Sequence, residues 1–169
     1  MGPCKSIQMN KRGDITMNLE ELAATILIAD DDIPTTKLFS LYLKNSGFSG
    51  EIIPAYNGIE AVEKCWLYYP ELVFIDINMP FKDGISAIEE LRAGGFTHAI
   101  VVITSYSEFE KQCLAAGADV VLSKPVSRDE FLKQVKKFLQ RSYRIPDESL
   151  PAKEPVERLF YTSSILWGN

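Results

Sequence analysis

The stretch Leu72-Val73-Phe74-Ile75-Asp76-Ile77-Asn78-Met79-Pro80-Phe81-Lys82-Asp83-Gly84 decides how this chain folds. Its first four residues form a short apolar run, suited to a strand buried on both faces. The run ends on Asp76, a charge placed where a buried strand emerges. Asn78, Pro80, Asp83 and Gly84 then supply loop and turn chemistry before the next apolar-periodic segment. Open α/β sheets bind ligands at the carboxyl ends of their strands, where Asp76 falls. Taken alone, such an aspartate serves equally well as a cap for the following helix. What other segments bring to the same edge decides between the two.

Upstream, Ile26-Leu27-Ile28-Ala29 is a second apolar strand that stops at Asp30-Asp31-Asp32. Ile33 to Ser46 has the spacing of a helix, with Leu38, Leu41, Tyr42, Phe39 and Leu43, and Gly47 stops it. Glu51 to Ala55 reads as a strand, Asn57-Gly58 as a turn into a helix over Ile59 to Tyr69, and Pro70 ends that helix. Downstream, a helix spans Ile85 to Arg92 before Gly94-Gly95. Ala99 to Ile103 is a strand ending on Thr104-Ser105, and Phe109 to Ala116 is helical up to Gly117. Val120 to Leu122 is a fifth strand, followed by Ser123-Lys124-Pro125. Residues 127 to 141 place Phe131, Leu132, Val135, Phe138 and Leu139 on one helical face, leaving a basic outer face. Five short strands alternating with five helices call for a parallel sheet covered on both faces. Neither an internal repeat nor a low-complexity block interrupts this order.

The chain has 169 residues, which suits one domain with terminal extensions. An apolar fraction of 46% can fill a real core, and a formal net charge of −5 gives no reason to expect nucleic-acid binding. Cys4, Cys65 and Cys113 have no metal-ligand spacing. Cys65 and Cys113 read as small apolar helix residues in a reducing compartment. We expect no membrane span and no signal peptide. Met1-Gly2-Pro3-Cys4-Lys5-Ser6 formally matches a myristoylation pattern with Cys4 as a second acylation site, although Pro3 argues against it. Asn18 and Glu21 resemble a capping box. Residues 1–24 read as an extension, 25–142 as the folded domain, and 143–169 as a proline-punctuated linker leading to a short aromatic tail. In that tail Phe160, Tyr161 and Trp167 suit either packing back on the domain or docking to a partner.

The chemically distinctive residues all lie just past strand ends. Asp30 and Asp31 follow the first strand, Asp76 and Asn78 the third, Thr104 the fourth and Lys124 the fifth. Helix capping explains one aspartate but not the whole set. Two carboxylates ~4 Å apart repel by ~4 kcal/mol at an effective dielectric near 20, so three need a cation or raised pKa values. An oxygen-only donor set without His or Cys favours a hard cation, Mg2+ completed by water and substrate phosphate. Thr104 and Lys124 can donate to phosphoryl oxygens. The chemistry implied is in-line attack of one carboxylate on a phosphoryl group. His98, just before the fourth strand, reads as structural rather than as a phosphotransfer histidine, so the phosphoryl donor must come from elsewhere.

These motifs, in this order, closely resemble the receiver domains of two-component response regulators. The matching residues are Ile26 to Asp32, Phe74 to Pro80 with Asp83-Gly84, Thr104-Ser105, and Gly117-Ala118-Asp119 leading into Lys124-Pro125. The resemblance spans roughly residues 25–141 and implies a doubly wound five-stranded parallel sheet, flavodoxin-like, of strand order 2-1-3-4-5. It implies Asp76 as phospho-acceptor, with Thr104 hydrogen-bonding the acyl phosphate and Lys124 contacting its oxygens. It implies Mg2+ held by Asp31, Asp76 and the Asn78 backbone carbonyl, with Asp30 acting mainly through water and Asp32 a bystander at the next helix start. It also implies a cis Lys124–Pro125 bond. Expected partners are a histidine kinase or histidine phosphotransfer protein as donor and a downstream protein as output. A cytoplasmic location is expected, and a homodimer stays open.

One departure stands out. Receivers usually carry Tyr or Phe three residues before this Lys, and here the residue is Val121. Tyr106 lies close in sequence but not at the equivalent position, and reads as the start of the fourth helix. Phospho-acceptance is expected to carry over, whereas Val121 puts the usual ring-based transmission in doubt. Two competing functions follow. One is a receiver fold acting as a constitutive interaction module. The other, a small aspartyl-phosphate phosphatase, lacks the Asp-x-Asp pair, since Ile77 and Asn78 follow Asp76.

Overall fold

The computed structural model describes residues 24–142. The capping box at Asn18, the acylation pattern, the proline-rich linker and the aromatic tail lie outside the described residues. Five strands, β1 (Thr25–Ala29), β2 (Glu51–Ala55), β3 (Leu72–Ile75), β4 (Ala99–Thr104) and β5 (Val120–Ser123), form one parallel sheet in the order β2-β1-β3-β4-β5. They alternate with helices α1 (Ile33–Lys44), α2 (Gly58–Tyr68), α3 (Gly84–Ala93), α4 (Glu110–Ala116) and α5 (Arg128–Ser142). The flavodoxin-like architecture expected from the sequence is the observed one.

Period-2 alternation explains why the central strands are apolar throughout. Leu27, Ala29, Val73, Ile75, Ile100 and Val102 share a cluster with residues of α2, α3 and α4. Their neighbours Ile26, Ile28, Leu72, Phe74, Val101 and Ile103 share the opposite cluster with α1 and α5. On that second face the Phe131 ring stacks on Phe39 at 4.7 Å and meets Phe74 at 4.4 Å. In α1 the buried positions are Thr36, Phe39 and Leu43, while Leu38 and Leu41 face outward. The edge strand β2 carries Pro54, whose missing N–H is tolerated at an edge.

Local chemistry sets the helix starts. Asp32 caps α1 by accepting from the Thr35 N–H, Asn57 caps α2 through Glu60, and Asp83 caps α3 through Ser86. The α4 region departs from a simple helix, because a 3₁₀ turn at Ser107–Phe109, entered through Tyr106, precedes it. Arg92 fastens α3 to the far end of the sheet, donating from Nε to the Gly117 carbonyl (2.9 Å) and from Nη1 to the carbonyls of Phe96 and His98. His98 itself is structural, its Nδ1 lying 2.8 Å from the Pro70 carbonyl oxygen. Cys65 and Cys113 are buried and unpaired, and burial pushes the Cys65 thiol up to about 12.

Candidate functional site

Register delivers the site. Ala29 lies opposite Ile75, so Asp30 and Asp76 leave adjacent strands at the same level. Each extends its ladder by one bond, Asp30 N–H to the Ala55 carbonyl (3.0 Å) and Asp76 N–H to the Ala29 carbonyl (2.9 Å). Thr104 lies opposite Ser123 in the β4–β5 ladder, which puts Lys124 one residue past the same edge. The Lys124 N–H bonds the Thr104 carbonyl (2.8 Å), and a cis peptide to Pro125 follows.

From that position the Lys124 ammonium reaches across the edge to two carboxylates. Its Nζ donates to Asp30 Oδ2 at 2.8 Å and to Asp76 Oδ2 at 2.6 Å. Asp30 and Asp76 are 3% and 7% exposed, while Asp31 is exposed. Oxygens of all three aspartates lie within 4.8 Å of one another. At that separation each pair repels by ~3.5 kcal/mol at an effective dielectric near 20. One ammonium against three carboxylates leaves a formal −2, which suits a divalent hard cation bound by oxygen. The donor set therefore fits Mg2+, with Asp30, Asp31 and Asp76 as the acidic groups.

The ionisation states follow from burial and pairing. Burial raises the Asp30 carboxyl above its usual range, against the opposing pull of Lys124 and of the Asp32 N–H. For Lys124 burial disfavours the ammonium, but the hydrogen bonds it donates to Asp30 and Asp76 outweigh burial and raise its pKa. Lys124 is thus a fixed cation at neutral pH.

The other sequence-selected residues surround this centre. Thr104 is fully buried, and its Oγ1 accepts the Tyr106 N–H at 3.1 Å. A hydroxyl has two acceptor sites and one donor, so its O–H stays available to an incoming oxygen. Asn78 is exposed, and its N–H lies 3.3 Å from Asp76 Oδ1. Val121 is half-buried and packs on the α2–α4 side of the core. A cavity of about 380 Å³ is lined by Ile77, Asn78, Asp83, Ile85, Tyr106 and Phe109.

Sequence reasoning missed two close approaches that shape the loop after Asp76. A Cβ on Gly84 would sit 2.1 Å from the Asp76 carbonyl oxygen, and one on Gly58 2.4 Å from that of Lys82. The Gly58 N–H also donates to the Lys82 carbonyl (3.0 Å), pinning the loop to the start of α2. The glycine after Asp83 is visible in the sequence, where it signals turn chemistry rather than close packing.

The model of the response regulator receiver domain family matches residues 26–136. The chain belongs to that family. The receiver domain of the Francisella response regulator 1452 is 26% identical, with a TM-score of 0.66, over 70% of this chain and 98% of that one. A CheY-like response regulator receiver domain protein from Methanospirillum hungatei is 26% identical with a TM-score of 0.65, over 72% of this chain and 98% of that one. A chain of the CheX-CheY-BeF3-Mg2+ complex from Borrelia burgdorferi is 27% identical with a TM-score of 0.63, over 76% of this chain and 93% of that one. The acidic cluster of this receiver thus lies on a family fold consistent with phosphorylatable two-component signalling. No described helix is long and apolar enough to cross a membrane.

Proposed function

We propose that this receiver accepts a phosphoryl group on Asp76 from the phosphohistidine of a histidine kinase or histidine phosphotransfer protein, and signals by altered binding to a downstream protein. The observation that carries the proposal is the Lys124 ammonium, held 2.6 Å from a nearly buried Asp76 carboxylate beside two further aspartates. A carboxylate oxygen of Asp76 attacks phosphorus. The P–N bond to the donor imidazole breaks with its electron pair staying on nitrogen, and an acyl phosphate forms. Lys124 neutralises charge on the phosphoryl oxygens, and the free O–H of Thr104 donates to one of them. Asp31, Asp76 and the Asn78 carbonyl would hold Mg2+, with Asp30 acting mainly through water, and the ion would supply electrostatic neutralisation at the same place. The chain would catalyse only its own phosphorylation and dephosphorylation. A cytoplasmic location fits its two buried unpaired cysteines.

The test is intact-mass spectrometry after incubation with Mg2+ and acetyl phosphate. The wild type should gain one phosphoryl group and Asp76→Asn none. No gain in the wild type, or an equal gain in Asp76→Asn, would overturn the proposal. Val121 favours a second reading, a constitutive interaction module, because no ring on β5 is there to report on Thr104. That reading requires partner binding that is indifferent to Asp76→Asn.

A further inference from the structure

A groove of about 600 Å³ runs along one edge of the fold, between α1 and β2. Leu41, Ile52, Pro54 and Tyr56 give it apolar walls, and Leu41 is 52% exposed. Lys37 and Lys44 line its α1 side, and no acidic residue lines it among those described. Neither lysine has an acidic partner among the described residues. Lys44 suits the negative end of the α1 dipole, but Lys37, in mid-helix, has no such role. The groove is therefore apolar within and positive along one rim, and nothing described answers that charge.

The free edge of β2 is poorly suited to extending the sheet. Pro54 has no N–H, and its carbonyl already accepts from Lys64 Nζ at 2.7 Å. An occupant must dock by its side chains, and the groove calls for apolar ones with acidic neighbours. Residues 143–169 supply that pattern: Asp147, Glu148, Glu154 and Glu157 are interspersed with Leu150, Val156 and Leu159. Pro146, Pro151 and Pro155 reduce the entropy such a segment loses on docking. The N-terminal arm suits the lysines less well, because Lys5, Lys11 and Arg12 offset Asp14, Glu20 and Glu21. Reach fits as well. Each helix returns antiparallel to the strand before it, so α5 ends at the end of the sheet where Lys44 sits and β2 begins. The stacked rings of Phe39 and Phe131 show that α1 and α5 are neighbours. Rounding the end of α1 covers about 20 Å, which about six extended residues span. Counted from Ser142, that brings Asp147 and Glu148 to the Lys44 end of the groove.

We infer that the groove between α1 and β2 is the seat of the chain's own C-terminal segment. Its acidic residues face Lys37 and Lys44, and its apolar side chains cover Leu41 and Ile52. Apolar contact holds the segment, and the two lysines set its register. The inference does not depend on the acceptor reading of Asp76.

The experiment treats the full chain, dilute, with a carbodiimide that joins a lysine to a carboxylate in direct contact, and maps the links by mass spectrometry. Mixing isotope-labelled with unlabelled chains separates links within one copy from links between copies. Lys44 or Lys37 should link to an acid within residues 147–157 of the same chain. In Leu41→Glu the yield of that link should fall about fivefold or more, through lost apolar contact and added repulsion. In Leu67→Glu, a change at a residue 73% exposed on α2, it should stay within about twofold. The double variant Lys44→Glu with Glu148→Lys should still form a link between positions 44 and 148. Links from both lysines only to Asp14, Glu20 or Glu21 would overturn the inference and assign the groove to the N-terminal arm. Links only between labelled and unlabelled chains would overturn it in favour of a second copy. So would no link from either lysine to the segment, or a yield that Leu41→Glu leaves unchanged, with no occupant put in its place.

Discussion

Replacing Lys124 by Met isolates the electrostatics on which the site depends. In the native chain the ammonium lies 2.8 Å from Asp30 and 2.6 Å from Asp76. Each contact represents ~6 kcal/mol of gross attraction at an effective dielectric near 20. The mutual repulsion of the carboxylates, ~3.5 kcal/mol per pair at 4.8 Å, and the desolvation of the ammonium oppose it. Removing one partner of a buried ionic group leaves an uncompensated charge and typically costs ~3–5 kcal/mol. The Lys124 side chain is 23% exposed, so water relieves part of this and places the loss near ~3 kcal/mol. For a domain of this size that is a drop in Tm of roughly 10–15 °C. Urea unfolding followed by circular dichroism, with EDTA and then with Mg2+, checks both halves of the argument. A ligand at about ten times its Kd adds ~1.4 kcal/mol. The variant, with no ammonium to compete, should bind Mg2+ more tightly and gain more from it than the wild type does. A variant within ~1 kcal/mol of wild type in EDTA would refute the charge reasoning. Equal Mg2+ stabilisation of both chains would refute the idea that metal and ammonium answer the same excess of carboxylates.

Other expectations come from packing and ionisation. Gly84→Ala sets a Cβ 2.1 Å from the Asp76 carbonyl oxygen. The loop must shift, and we expect a loss of roughly 2 kcal/mol or more in urea unfolding together with slower labelling by acetyl phosphate. With its thiol pushed up to about 12 by burial, Cys65 should resist iodoacetamide at mildly alkaline pH in the folded chain and react once denatured. Because the folded pKa is raised, the thiol's contribution to stability is fully present below its unfolded pKa, falls as pH rises above it and is lost by about 12.

Much of the site could be read from short-range pattern. The apolar runs before Asp30 and Asp76 mark buried strands because strands covered on both faces have no polar positions to alternate. Asp32 is legible at a helix start because capping is settled within three residues, whereas Asp83, which reads as turn chemistry in the sequence, caps α3 in the structure. The strand ends of Thr104 and Lys124 follow from the same punctuation, although β4 and β5 each extend one residue further than the apolar run, through Thr104 and Ser123. The outward turn of Leu38 and Leu41 was less accessible. A helix with apolar residues on more than one side does not reveal which stripe its neighbours cover, and here Phe131 selects Phe39.

By itself, then, the sequence determined the strand and helix order, the edge of the sheet at which Asp30, Asp31, Asp76, Thr104 and Lys124 emerge, and the family to which their motifs are similar. These depend on periodicities and caps that operate over a few residues. Tertiary structure alone decided that one ammonium, 94 residues from Asp30 and 48 from Asp76, bridges both carboxylates. It also decided that Phe81, at φ +66, stands 85% exposed on a turn closed by the Lys82 N–H on the Pro80 carbonyl. Such contacts depend on register and loop closure between distant segments, and no local pattern encodes the distance across which they meet.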